Sequence, residues 1–227
     1  MTKATSGGHS WRVSGAWLAF VGIVFLAGCG GGASAPPEVA GGVDLAANQY
    51  RNSFFGLTLE IPEEWHVASD ETKEALLDAG TAAISADDAV FRAQMEAAKA
   101  QTHQLVMISE HPVGAPVAFN PNLVLMAERI GHFPGIEDGA DYLFQIEQTL
   151  AQSSLPYEKV GEGGTHTIAG DTWDAVNYRI AGPGGKLLQE YLALKRGEYV
   201  LVFVTTAIDA DQQTSLRDIA STLDFDT

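Results

Sequence analysis

The sequence predicts an α+β fold, an antiparallel sheet flanked by helices, and three observations lead there. Strand-like segments follow one another near the C-terminal end instead of alternating with helices. The run Tyr199-Val200-Leu201-Val202-Phe203-Val204 is apolar on both faces, as a strand covered on each side must be. Apolar residues at the 3–4 spacing of a helix occur before, between and after the strands.

Each element has its own warrant. Phe55, Leu57, Leu59 and Ile61 alternate, which predicts one extended strand ended by Pro62, a residue with no N–H to give to a ladder. Trp65 is expected to pack back beneath the turn that follows. Two helices are predicted over Asp70–Gly80 and Ser85–Gln101, the second capped at Ser85 with Asp88 three residues on, and with Val90, Phe91, Met95 and Ala98 as its buried stripe. Strands are expected over Gln104–Ser109 and Leu123–Ile130, separated by a loop whose Pro112, Pro116 and Pro121 exclude a sheet interior. Asp138 or Asp141 opens a helix that buries Tyr142, Leu143, Ile146 and Leu150 and runs to about Gln152. Four strand candidates follow, Tyr157–Glu162, Thr172–Ile180, Leu187–Lys195 and Tyr199–Ala207, with Gly182-Pro183-Gly184-Gly185 and Arg196-Gly197-Glu198 as hairpin connections between the last three. A last helix, about Ala210 to Leu223, offers Leu216, Ile219, Ala220 and Leu223 to the core.

The N-terminal end reads differently. Lys3 and Arg12 precede an eleven-residue apolar run, Ala16 to Leu26. At about 1.5 Å per helical residue it reaches roughly 16 Å, half of the ~30 Å hydrocarbon core, so it is the apolar part of an export signal and not a spanning helix. It ends in Leu26-Ala27-Gly28-Cys29, which resembles the lipobox of bacterial lipoproteins: an aliphatic residue, two small ones and the cysteine that accepts diacylglycerol before cleavage. Cys29 is the only cysteine, so no disulfide forms within one chain. Each buried methylene of an acyl chain contributes about 0.8 kcal/mol, and two or three chains are needed for stable attachment. Residues 1–28 are therefore expected to be a signal peptide, residues 29–48 the lipidated cysteine with a Gly-, Ala- and Pro-rich flexible tether, and residues 49–227 a single globular domain. The predicted location is the cell envelope, outside the cytoplasm. In a two-membrane host, Gly30 in place of aspartate after the lipidated cysteine resembles the pattern for outer-membrane sorting.

With 13 basic against 29 acidic residues the formal charge is −16, and loss of Lys3 and Arg12 with the leader makes it more negative by two. Such a surface repels nucleic acid and anionic headgroups. The expected partners are thus the membrane, through the lipid alone, and an unknown envelope protein.

The opening Tyr50-x-Asn52-x-x-Phe55-Gly56-Leu57-x-Leu59-x-Ile61-Pro62-x-x-Trp65 resembles the start of the PsbP-like family, which includes the extrinsic photosystem II protein, a eukaryotic Ran-binding import factor and many bacterial lipoproteins. Glu64 stands where that family usually has a glycine before the tryptophan. The close is similar too: a hairpin ending in a very apolar strand, then a short helix and Leu223-Asp224-Phe225. The likeness covers both ends of the domain and is loose over about residues 70–156. It implies an antiparallel sheet flanked by helices, an α/β/α sandwich, and a binding, assembly or accessory role, since the family shares no catalytic motif. Photosystem binding, Ran binding and manganese or calcium involvement belong to particular branches of that family, and no residue here carries them over.

Chemistry-bearing patterns are sparse. There is no Gly-x-Ser-x-Gly elbow, and Ser109, His111 and Asp138 have no spacing that marks a triad. Gly161-Glu162-Gly163-Gly164 leads into a strand and not a helix, so it is no phosphate loop. No enzyme and no cofactor is expected. The segment most suited to a partner is the pair of loops carrying Val113, Val117 and Phe119 on one side of a strand and Phe133 and Ile136 on the other. The alternative is a small-ligand or metal site at an end of the sheet formed by His103, His111 and His132, although no His-x-x-x-His signature supports it. The acidic helices around Glu71–Asp78 and Asp87–Glu96 read as solvated faces.

Overall fold

The structure, a computed structural model, describes residue 39 and residues 41–131, 133, 135–182 and 185–226. The expectations placed on the leader, on Cys29 and on His132 lie outside the described residues. In chain order the elements are β1 (Gly41–Asp44), β2 (Gln49–Asn52), β3 (Leu57–Glu60), β4 (His66–Val67), α1 (Asp70–Ser85), α2 (Ala89–Lys99), β5 (Thr102–Ser109), β6 (Asn122–Arg129), α3 (Gly139–Leu150), β7 (Tyr157–Ile168), β8 (Asp171–Gly182), β9 (Gly185–Arg196), β10 (Tyr199–Ala207), α4 (Ala210–Ala220) and β11 (Asp224–Phe225).

Seven strands form the main sheet in the order β4-β5-β6-β10-β9-β8-β7, every pair antiparallel. The doubly apolar strand β10 sits near its middle, between β6 and β9, with Val202 opposite both Met126 and Ala193. Every residue of β10 is buried. Successive side chains point to opposite faces of a strand, and the two cores divide accordingly. Val200, Val202 and Val204 join Leu77 of α1, Ala98 of α2 and Tyr142, Leu143, Ile146 and Leu150 of α3. Leu201 and Phe203 join Leu216, Ile219 and Ala220 of α4, together with Tyr50, Leu57 and Leu59. This is the expected α+β architecture, helices on both faces of an antiparallel sheet.

The second face also carries a small sheet that the sequence did not suggest, ordered β1-β2-β3-β11. It arises because the predicted strand, observed as β3, is preceded by a turn that folds Gln49–Asn52 back onto it as β2. The side-chain oxygen of Asn52 accepts from the N–H groups of Phe54 and Phe55 at 3.1 Å each, and Gly56, at φ 58°, turns the chain so that Asn52 faces Leu57. Phe55 thus lies in the turn, while Leu57 and Leu59 keep their buried places. Gly41–Asp44, within the stretch that composition assigns to the tether, pairs with β2 as strand β1.

Four local expectations are corrected. α1 continues through Thr81 and Ile84 to Ser85, whose hydroxyl donates to the Thr81 carbonyl at 2.6 Å within the helix, and the chain leaves it at Ala86, φ 41°, so Ser85 belongs to one helix instead of capping the next. The cap of α2 is Asp88, accepting from the Val90 and Phe91 N–H groups at 3.0 and 2.9 Å. Val90 then points outward at 70% exposure, leaving Phe91, Met95 and Ala98 as the buried stripe. β7 runs beyond Glu162 to Ile168, with its pairing to β8 shifted between Val160 and Gly164. By contrast α3 opens at Asp138, whose carboxylate accepts from Asp141 N–H at 2.9 Å, and buries the residues foreseen.

Polar groups anchor the helices at two points. On the α4 face, Glu190 of β9 has no solvent exposure and accepts from both nitrogens of the Arg217 fork, at 2.8 and 3.1 Å, and from Gln213 at 3.1 Å. On the other face Tyr142 of α3 donates to buried Glu128 at 2.7 Å. α3 also approaches the sheet closely at Gly139, where a Cβ would lie 2.3 Å from the Ala193 carbonyl oxygen.

Gly139→Ala is expected to lower stability by about 2 kcal/mol or more, read from urea unfolding, because neither the backbone of β9 nor α3 can move aside without loss of packing. Arg217→Met leaves Glu190 without its main partner and is expected to cost about 3 kcal/mol, whereas Glu190→Leu combined with Arg217→Met recovers much of that loss. Equal stabilities for the single and double variants would contradict this account.

Candidate functional site: a cleft beside Trp65

The structure separates the residues that the sequence grouped. The loop with Val113, Val117 and Phe119 leads into Asn122, the first residue of β6, and the loop with Phe133 and Ile136 leaves after Arg129, its last. Eight extended residues at about 3.3 Å each put roughly 25 Å between them, so the two loops form no common surface. Val113 is exposed at its loop tip, and Val117 and Phe119 are half-buried. Ile136, 5% exposed, belongs to the first core, and Phe133 packs against it.

Two of the three grouped histidines, His103 and His111, are kept apart for the same geometric reason. His103 lies near the start of β5, opposite Ala127, whereas His111 follows its far end. Burial pushes the His103 imidazole below its ordinary pKa, favouring the neutral form, and its Nε2 is buried with no hydrogen-bond partner. Among the described residues no group of three or more His, Cys, Asp or Glu is placed to hold a metal ion. The Ser109, His111 and Asp138 trio does not assemble either: the Ser109 hydroxyl donates to the His111 backbone carbonyl at 2.8 Å, and Asp138 caps α3 beyond the other end of β6.

What the fold does bring together is a cleft of about 580 Å³ between the β3–β4 turn, the β5–β6 connection and α4. Its walls are Glu64, Trp65, His66, Glu110, His111 and Asp211, with Pro121, Gln212, Ser215 and Leu216 completing the lining. The Trp65 N–H donates to the Pro62 carbonyl at 2.9 Å, a tight turn that presents Glu64 and sets the indole, half-buried, against the second core. His66 is held by the pairing of β4 with Ser109 of β5.

The opposite wall is equally well fixed. Buried Asn120 closes the base of the β5–β6 loop by accepting from the His111 N–H at 2.9 Å and donating to the His111 carbonyl at 2.8 Å, while the Glu110 N–H donates to Pro121 O at 3.1 Å. The third wall is one face of α4, where Asp211 and Ser215, and Gln212 and Leu216, are each four residues apart. Asp209 caps that helix through Gln212 N–H at 2.9 Å, and Arg217 and Gln213 fasten it to Glu190.

Among the described residues no lysine or arginine lines the cleft. The carboxylates of Glu64, Glu110 and Asp211 are exposed, and none makes an ion pair among the described residues, unlike Asp70, Asp78, Glu147, Glu158, Asp171, Glu190 and Glu198. The site joins an aromatic wall to negative charge that the fold does not neutralise.

No family model matches the chain, and no curated protein is similar to it in sequence. Likeness appears in three dimensions. The solution structure of cyanobacterial PsbP (CyanoP) from Synechocystis superposes with a TM-score of 0.50 over 84% of this chain and 99% of that one, at 12% identity. The fold is PsbP-like. At that identity the likeness is one of fold alone. LpqN of Mycobacterium tuberculosis, described as involved in cell envelope biogenesis, superposes more loosely, with a TM-score of 0.41 at 16% identity over 75% of this chain and 83% of that one. In this PsbP-like chain the small sheet and α4 cover one face of the main sheet, and the cleft opens where they meet the end of β5.

A second concavity, of about 320 Å³, lies between α3 and β7–β8, and the Lys159–Glu147 ion pair, 2.6 Å, joins its two walls. Asp174 lines it beneath the start of α3. Burial holds its carboxyl above the ordinary carboxylate range, the negative charges of Asp138 and Asp141 add to the rise, and a hydrogen bond from the Ala140 backbone opposes it. A carboxyl with a raised folded-state pKa destabilises the fold above that pKa and ceases to do so once pH falls below its unfolded value. Asp174→Asn is therefore expected to raise the melting temperature at about pH 7 and to have little effect at about pH 3. A gain of the same size at both values would assign the effect to packing instead.

Proposed function

We propose that this chain is a non-catalytic cell-envelope lipoprotein, held outside the cytoplasm by acyl chains on Cys29, whose PsbP-like domain binds a partner through the Trp65 cleft. The observation that carries the binding role is that cleft, with its half-buried tryptophan and three exposed carboxylates outside the fold's own ion pairs. A surface that served packing alone has no need of an open aromatic wall flanked by like charges, whose mutual repulsion costs stability until a partner neutralises it.

Anchoring rests on Leu26-Ala27-Gly28-Cys29 at the end of a short apolar run. It is supported by a charge of −16 that gives the protein surface no attraction of its own for anionic lipid. In a host with two membranes, Gly30 favours the outer one. The partner is an envelope protein, not a nucleic acid.

Labelled palmitate supplied to the producing cells is expected to enter the parent chain and not a Cys29→Ser variant, which leaves the membrane fraction or accumulates with its leader uncut. Membrane retention and unchanged gel mobility of the variant would end the lipoprotein reading. It would leave the cleft untouched.

A further inference from the structure

The cleft's chemistry is selective enough to name what enters it. We infer that the Trp65 cleft receives a guanidinium or ammonium group on a short apolar stem, as presented by a basic side chain of a polypeptide. The inference deepens the binding role proposed above and is independent of the lipid anchor.

Charge decides the sign of the ligand. Glu64 on the β3–β4 turn, Glu110 just after β5 and Asp211 on α4 approach from three separate elements, and among the described residues no lysine or arginine stands with them. An anion entering would meet three carboxylates and no counter-charge, whereas a cation would exchange water for them. The basic residues that might have answered these acids are engaged elsewhere: Lys73 with Asp70, Lys99 with Asp78 and Glu96, Arg129 with Glu198, and Arg217 with Glu190.

Shape and ring chemistry decide the rest. A bare divalent ion needs ligands converging within bonding distance, and no such group exists among the described residues. A space of about 580 Å³ beside the half-buried Trp65 indole instead suits a cation with carbon attached, since an aromatic ring attracts the charge and offers apolar surface to the stem. The chain itself uses this pairing within its fold, where the Arg196 guanidinium lies 3.7 Å over the Phe225 ring. The walls also keep their places without a ligand, because the Asn120 clamp, the Pro62–Trp65 turn and the Glu190–Arg217 fork hold them, so binding orders little of the protein.

The experiment is calorimetric titration of the full-length chain in nonionic detergent with three probes: an acetylated, amidated Gly-Arg-Gly peptide, free n-propylguanidine of the same single charge, and the Gly-Glu-Gly counterpart. The arginine peptide and propylguanidine are expected to bind, more weakly as salt rises, and the glutamate peptide is not. Tighter binding of the peptide assigns the site to a polypeptide side chain, and tighter binding of propylguanidine to a free small cation, which would overturn the polypeptide assignment.

Glu64→Gln/Glu110→Gln/Asp211→Asn is expected to weaken binding by about tenfold or more, and Trp65→Leu by about fivefold, the size of a surface cation–π contact. The charge-matched control Glu71→Gln/Glu74→Gln/Asp87→Asn, on exposed positions away from the cleft, is expected to stay within about twofold of the parent. Equal losses in both triple variants would reduce the effect to net charge and overturn the proposal, as would the absence of binding by either cation. If Trp65→Leu does not fold, the carboxylate triple, whose three positions are all exposed, decides the question alone. Membrane release of Cys29→Ser has no bearing on this titration, so failure here and failure of the anchor are separate results.

Discussion

A carboxylate with no access to solvent sits on the α4 face of the main sheet, and the position of α4 follows from it. Glu190 has to be neutralised where it lies, and Arg217, reaching from the last turn of α4 with two parallel hydrogen bonds, is the group that does so. Gln213 one turn earlier takes a further lone pair of Glu190 and also meets buried Thr205, while His166 of β7 stands 3.5 Å from the same carboxylate. Because apolar contacts such as Leu216 and Ile219 against the sheet are non-directional, they would tolerate small slides of the helix; the bidentate fork does not. One wall of the Trp65 cleft is the exposed side of that same helix, so the buried ion pair sets the width of the site without lining it.

The two faces of the sheet solve different problems. Towards α1, α2 and α3 the cover is helical and broad, with Tyr142 of α3 on Glu128 as a polar fix and Gly139 admitting close approach. Towards α4 a single helix is too narrow, and the remaining area is covered by the four-stranded sheet that begins at Gly41 and returns at Phe225. The cleft lies at the seam on this second face, where helix, turn and strand end meet and none fills the corner.

Periodicity made much of the fold legible. Val202 and Phe203 could be assigned to opposite faces of a central strand from hydropathy alone, and the Tyr142–Leu150 stripe placed α3 against the core. The errors came where a local polar bond outweighed the apolar pattern. Asn52 turns the chain just ahead of the predicted strand and takes Phe55 out of it, because its side chain satisfies two backbone donors at once, and Asp88 takes the capping role from Ser85 because its carboxylate reaches two N–H groups while Ser85 is still helical. The site was the least legible part. Trp65 was foreseen as a packing residue, but nothing in the chain near it announces Asp211, and the apolar loop residues that looked like a surface include Ile136, which the core takes up.

By itself, therefore, the sequence determined the alternation of strands and helices, which faces are apolar, the surplus of negative charge and the chemistry available at Cys29, since each is a property of neighbouring residues or of the whole composition. Only the tertiary structure decided which distant groups meet. The strand β6 holds two promising loops apart, a helix 145 residues further along the chain brings Asp211 across from His66, and a buried carboxylate fixes that helix in place. Such contacts are set by strand register and by the geometry of ion pairs in three dimensions, and neither leaves a periodic trace along the chain.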